Sequence, residues 1–383
     1  VAIGTTVYAR LGLAEEFQKR LQSAKEYTQQ ASQLKDPAQQ REGLRQAYAM
    51  LLEANKLGGN DEAQALKKQI VSALDDLDGI VRLDYQPAIS GNLSGVTISG
   101  IVTSLNDVYL LDSSQGRILR LYRVSSGYEI DPTFNCGPGQ AGAIIINPLV
   151  DMVALPTNND MHSTVMGIDA GGNLVYCAPN LTGFDSLPLA LPDAGWGNIA
   201  GITLYGNTLY VMDPKANAVY RYDGMDGVFN NPPHLYFDNV IPQMTDVIDL
   251  AVDQEFLYLL HADGRMTVCQ SSGFAFAATK CTDPAPYGDS RPGYEPNPLL
   301  FAGSRFTHIQ TTEPPDPSLF ALDAANKSVY HLSLRRLNLQ RQYRAVIDGN
   351  FPLPNEAATA FAIAPNRRVL VAFGNKLFFA PLP

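Results

Sequence analysis

Much of the machinery of catalysis is scarce in this sequence. There is a single Trp, only five His and four Cys in 383 residues, and charged residues make up only 17%. The five His, at 162, 234, 261, 308 and 331, are scattered, with no HxH or HExxH spacing to gather a metal on one element. No Cys-x-x-Cys occurs and no Cys stands at zinc spacing from a His, which disfavours a metal site. GxSxG is absent, as is a phosphate loop: Gly137-Pro-Gly139 lacks the Lys and the helix that such a loop needs. No apolar run is long enough to cross a bilayer. The formal net charge of −10, with no basic cluster beyond Arg335, Arg336, Arg341 and Arg344, argues against nucleic acid as a partner. These gaps lead to the expectation of a chain without catalytic residues, metal or cofactor.

Turn formers and aromatics are abundant: 31 Gly, 26 Pro, 18 Tyr and 16 Phe. With low charge they favour a β-rich body with many loops. The chain divides by hydrophobic period. Residues 1–79 read as a helical stalk of three helices. Phe17, Leu21, Ala24, Ala31 and Leu34 share a face of the first. Asp36-Pro37 starts the second, Gly58-Gly59 ends it, and Asn60 or Asp61 caps the third. The arrangement resembles a tetratricopeptide hairpin with an added helix. A unit this small is expected to pack on another surface or pair with a copy of itself, which makes a homo-oligomer through the stalk an expectation. Residues 1–10 are apolar up to Arg10, which fits either the end of a transmembrane helix or an ordinary terminus.

From residue 80 the period becomes two, and a unit of strand, Asp or its replacement, polar turn and strand recurs six times. The anchors Asp112, Asp169, Asp213, His261, Asp323 and Phe373 stand 57, 44, 48, 62 and 50 residues apart, close to the blade repeat of a propeller. The fold class is therefore mainly β: residues 80–383 form a six-bladed β-propeller behind the stalk. The last copy holds three strands, so the strand at 80–86 is expected to join the last blade and close the ring. The repeat resembles propellers of the NHL type, most clearly over Asp249-Leu-Ala-Val-Asp253 and Leu257-Tyr-Leu-Leu260. The passage from helices through Leu77-Asp-Gly-Ile-Val-Arg-Leu-Asp-Tyr85 into a propeller ending Phe373-Gly-Asn-Lys-Leu-Phe-Phe-Ala-Pro-Leu-Pro383 resembles the extracytoplasmic region of membrane-anchored Chloroflexota-type phosphatase and kinase proteins. That resemblance implies a bacterial signalling role at the cell surface, with a transmembrane helix preceding this chain.

Several residues stand out as sites, each with a plain structural counterpart. Asp151, Asp249 and His308 open innermost strands and would ring the channel mouth, either holding a ligand or bonding amides of the next blade. Trp196 lies in a glycine-flanked loop as a binding anchor or an inter-blade plug. Tyr287, Arg291 and Tyr294 lie on an insertion suited to recognition or simply solvated. Cys269 with Cys281, and Cys136 with Cys177, are candidate disulfides, against separate buried thiols. Asn92, Asn180 and Asn326 head glycosylation triplets, relevant only in a eukaryote. The expected function is an extracytoplasmic, membrane-anchored sensor that binds a small molecule or a protein. The rivals are a scaffold subunit and a hydrolase or lyase with a metal at the channel mouth.

Overall fold

A computed structural model of the chain describes residues 2–383 apart from 92, 105, 106, 126, 180, 182, 238, 239, 255 and 272–278, with backbone alone at 2–11. Two compact units emerge: residues 1–81 together with 289–296, and residues 82–288 together with 297–383.

The first unit holds helices α1 (Ala2–Gln33), α2 (Pro37–Asn55) and α3 (Asp61–Asp78). The Asp36 carboxylate accepts from the amides of Ala38 and Gln39 with Pro37 behind it, and Asn60 caps α3 through the Ala63 amide. These bonds satisfy amides that a helix start otherwise leaves unpaired. The shared core is small, built on Leu21, Ala24, Leu44, Leu51 and Ile70. It draws α1 and α2 close: a Cβ on Gly43 would stand 2.8 Å from that of Ala31. Residues 289–296 complete the unit as a finger. Tyr294 carries the guanidinium carbons of Arg41 and Arg291 each 4.1 Å from its ring centroid. Its hydroxyl donates to Asp78 at 3.1 Å, and Arg41 donates to Asp78 and to the Pro292 carbonyl. Arg291 pairs with buried Asp289.

The second unit is a six-bladed propeller. Ahead of it run β1 (Ile80–Leu83) and β2 (Gln86–Pro87). Blade 1 is β3 (Ile98–Thr103), β4 (Asp107–Asp112), β5 (Arg117–Val124) and β6 (Gly127–Ile130), and a separate hairpin follows as β7 (Gly139–Ala141) and β8 (Ile144–Ile146). Blade 2 is β9 (Leu149–Ala154), β10 (Val165–Asp169), β11 (Asn173–Cys177) and β12 (Asp185–Pro188). Blade 3 is β13 (Gly201–Tyr205), β14 (Thr208–Asp213), β15 (Ala218–Asp223) and β16 (His234–Leu235). Blade 4 is β17 (Val247–Asp253), β18 (Phe256–His261), β19 (Met266–Gln270) and β20 (Lys280–Ala285). Blade 5 is β21 (His308–Thr311), β22 (Leu319–Asp323), β23 (Ser328–Leu332) and β24 (Leu339–Ala345). Blade 6 is β25 (Ala360–Ala364), β26 (Arg368–Phe373) and β27 (Lys376–Pro381).

Ring closure differs from the sequence expectation. Residues 80–83 do not join the last blade; β1 adds to β24 as a fifth strand of blade 5. The Leu83 carbonyl accepts from the Val346 amide at 3.0 Å. The last blade is completed by β2, with Gln86 opposite Phe379 and Pro87 opposite Phe378. The Ala88 amide continues that pairing to the Leu377 carbonyl at 2.8 Å. Pro87 donates no hydrogen bond, which suits an outer strand.

The recurring Asp is a turn hub. Asp112, Asp169, Asp213 and Asp323 are fully buried, each ending the second strand of its blade. Asp213 accepts from the amides of Gly197, Asn198 and Ala216 at 2.6, 2.8 and 2.9 Å. Asp169 holds Gly171 and Asn173 of its own turn and Asn147 ahead of the blade. In blade 4 the anchor is buried His261, which contacts Asp246 through Nδ1 at 2.8 Å and Thr267 through Nε2 at 2.9 Å.

Both expected disulfides form. Cys136–Cys177 ties the tail of blade 1 to blade 2, and Cys269–Cys281 joins the facing strands β19 and β20. No cysteine is free, which points to an oxidising compartment. Among the described residues no helix is long and apolar enough to cross a membrane.

Candidate functional site

The innermost strands β3, β9, β13, β17, β21 and β25 follow one another in contact around the propeller and enclose a channel cavity of about 340 Å³. Alternation along a strand sends every second side chain toward the same side, so few residues per blade face the channel. At one end the strands carry Gly100, Asp151, Gly201, Asp249, His308 and Ala360, as the repeat alignment places them. Gly201 leaves room for its neighbour: a Cβ there would lie 3.4 Å from Asp151 Oδ2 and 3.1 Å from Leu250 Cδ2.

The two carboxylates bridge blades. Asp151 accepts from the Met152 amide at 2.8 Å and, across the blade boundary, from the Ile202 amide at 2.7 Å. Asp249 repeats the geometry two blades on, accepting from Leu250 at 2.8 Å and Ile309 at 2.7 Å. Gln310 does similar work between blades 5 and 6, with its Oε1 accepting from the Ile363 amide at 2.8 Å and its Nε2 donating to the Ile363 carbonyl at 3.2 Å. The Thr311 hydroxyl reaches back to the Val252 carbonyl at 2.9 Å. These clasps match the structural role of channel-mouth Asp residues, and Gln310 is a clasp the sequence repeat did not single out.

The electrostatics are uneven. Asp151, Asp249, Asp253 and Glu313 line the cavity, while no Lys or Arg is among its described lining residues. Burial pushes the Asp151 carboxyl up to about 6 against the pull of the Ile202 and Met152 amides. Burial and then the Asp151 charge push Asp249 up to about 8, opposed by the Ile309 and Leu250 amides. Burial lowers the His308 imidazole to about 4, so it is neutral at physiological pH. Its Nδ1 lies 3.0 Å from the Thr307 hydroxyl. Asp151, Asp249 and His308 thus line one cavity. Among the described residues no group of three or more His, Cys, Asp and Glu is placed to hold a metal ion.

The loop candidates lie elsewhere. Trp196 packs edge-on to Tyr220, with centroids 5.4 Å apart, in the core shared by blades 2 and 3. A Cβ on Gly172 would stand 2.5 Å from its Nε1, a buried nitrogen with no hydrogen-bond partner among the described residues. The indole fills space between blades. Tyr287 is fully buried, packs on Phe301 and Phe306, and donates its hydroxyl to the Gly264 carbonyl at 2.9 Å. Tyr294 is taken up in contacts with Arg41 of α2 and Asp78 of α3, and Arg291 pairs within the finger with Asp289 and Tyr294. Of the glycosylation triplets, Asn92, Asn180 and Thr182 lie outside the described residues. Asn326 uses its amide to donate to Asp323 and the Gly303 carbonyl.

No family model matches this sequence, and no curated protein matches it. Solved structures share the fold. A regucalcin from Agrobacterium tumefaciens, described as a calcium-binding protein, aligns with a TM-score of 0.50 at 10% identity over 79% of this chain and 94% of its own. A streptogramin B lyase aligns at 0.48 and 12% identity over 78% of this chain and 97% of its own. A protein from Thermus thermophilus described as a putative glucose dehydrogenase aligns at 0.45 and 12% over 78% and 99%. Such likeness shows the propeller fold alone. It also corrects one expectation. The sequence reading expected a chain that is not an enzyme, with a hydrolase or lyase only as a rival, but proteins described as enzymes occur on similar propellers, so that expectation does not stand on the fold.

Proposed function

We propose that this chain is the extracytoplasmic ligand-binding domain of a membrane-anchored protein, and that a small polar ligand enters the central channel. The channel cavity of about 340 Å³ carries this reading, since it is large enough for a small molecule and mixes polar groups with apolar walls such as Tyr205 and Phe361. Four acidic side chains and no basic one line it, which favours amines and neutral polyols over anions. The two disulfides support the compartment. The resemblance to the extracytoplasmic region of membrane-anchored phosphatase and kinase proteins supports the anchor.

Calorimetric titration of the full chain against a panel of primary amines, neutral sugars and small carboxylates tests the reading. Binding of an amine or a sugar that Thr203→Trp abolishes, in a variant with an unchanged circular dichroism spectrum, supports it. Carboxylate-only binding, or binding that Thr203→Trp leaves intact, overturns it.

A further inference from the structure

The two disulfides are not equivalent. Cys136 and Cys177 are 3% and 1% exposed, and their bridge crosses from one blade to the next over 41 residues of sequence. Cys269 and Cys281 lie directly opposite each other on two strands that pair without them. Val268 faces Thr282 and Gln270 faces Lys280 on either side. Backbone pairing on both sides of the bridge thus holds the β19–β20 register independently of the sulfur bond. It closes only 12 residues, so opening it frees little chain in the unfolded state. Cys269 is fully buried but Cys281, on the outermost strand of blade 4, is partly exposed. One cysteine of this bridge is thus partly open to solvent, whereas both cysteines of the other are buried.

We infer that Cys269–Cys281 is a reversible redox switch, opened by a dithiol reductant while Cys136–Cys177 stays closed and the propeller stays folded. A thiolate of the reductant attacks Cys281 Sγ, forming a mixed disulfide and releasing Cys269 as the thiolate, which takes up a proton. The second thiol of the reductant then attacks the mixed disulfide, closes its own ring and releases Cys281. Two electrons pass from the dithiol to the protein disulfide, and two cysteine thiols and one oxidised dithiol result. The reverse exchange restores the bridge. The state of the switch bears on the outer strand of blade 4 and on the Cys269 carbonyl, which accepts from the buried Tyr236 hydroxyl at 3.2 Å.

The native full chain is incubated with graded dithiothreitol, alkylated with N-ethylmaleimide and read cysteine by cysteine by mass spectrometry, with circular dichroism in parallel. Cys269 and Cys281 are expected to label at about tenfold less reductant than Cys136 and Cys177, with the β spectrum unchanged and the label lost after reoxidation. Simultaneous labelling of all four, the opposite order, or loss of the β spectrum as the first pair labels would overturn the inference. A variant guards against misreading. Cys269→Ala with Cys281→Ala is expected to fold and keep Cys136–Cys177 oxidised; its failure to fold would count equally against the switch.

Discussion

Raising the pH from 6.5 to 8 is expected to destabilise the propeller through one carboxyl group. Asp249 is held up to about 8, so the folded chain retains its proton across this window while the unfolded chain has long released it. Stability falls with pH wherever the folded state binds the extra proton, and the loss ends once pH passes the folded value. The other channel groups act lower. Asp151, at about 6, contributes the same sign mainly below 6.5. His308, at about 4 when folded, acts with the opposite sign between 4 and its ordinary value of 6.5. Below pH 6.5 the imidazole offsets one carboxyl; above it Asp249 dominates among the three. One and a half pH units at about 1.4 kcal/mol each give a loss of about 2 kcal/mol. In a propeller of this size that is about 4 °C in thermal midpoint. The assay is the midpoint by circular dichroism from pH 6 to 9, in wild type and Asp249→Asn. The variant keeps one amide acceptor and cannot ionise, so its profile loses the slope between 6.5 and 8. A wild-type midpoint that is flat or rises there, or an Asp249→Asn profile parallel to it, would refute the reasoning.

Two further perturbations follow from the same geometry. Asp213→Ala strands three amides at the turn of blade 3, at a cost of about 3 kcal/mol, read as a lower urea midpoint. Gly293→Val acts on the finger. Its φ is +77°, and a Cβ would lie 2.9 Å from the Ala38 nitrogen, so a cost of about 2 kcal/mol is expected, read as faster amide exchange in 289–296 and the first turn of α2.

The blades were legible because their signal is repeated. Six similar units raise a weak strand pattern above ambiguity, and the buried Asp at four of the six anchors is one chemical answer to one turn. Cys269 and Cys281 were legible because residues facing across a hairpin fall at fixed distances from its turn. The closing strand was not. Ile80-Val-Arg-Leu alternates well enough to be seen, whereas Gln86-Pro87 is too short to show a period, and the chain uses both in different blades. Tyr294 was visible as an unusual residue but not as one clasped by helices, because its partners Arg41 and Asp78 lie more than two hundred residues away in sequence. His261 read as a mere replacement for Asp, and nothing local marked Asp246 as the group that makes the replacement work.

The finger also sets an order of events at the ribosome. Helices α1–α3 end at Asp78, yet the unit they belong to includes residues up to Pro296. Some 218 residues separate those points, the difference between 296 and 78. At ordinary elongation rates that is on the order of 10–40 s of synthesis. Through this interval Arg41 and Asp78 wait without Tyr294, while blades 1 to 4 emerge. The helical unit, made before the propeller, is thus completed only after four of the blades have been synthesised.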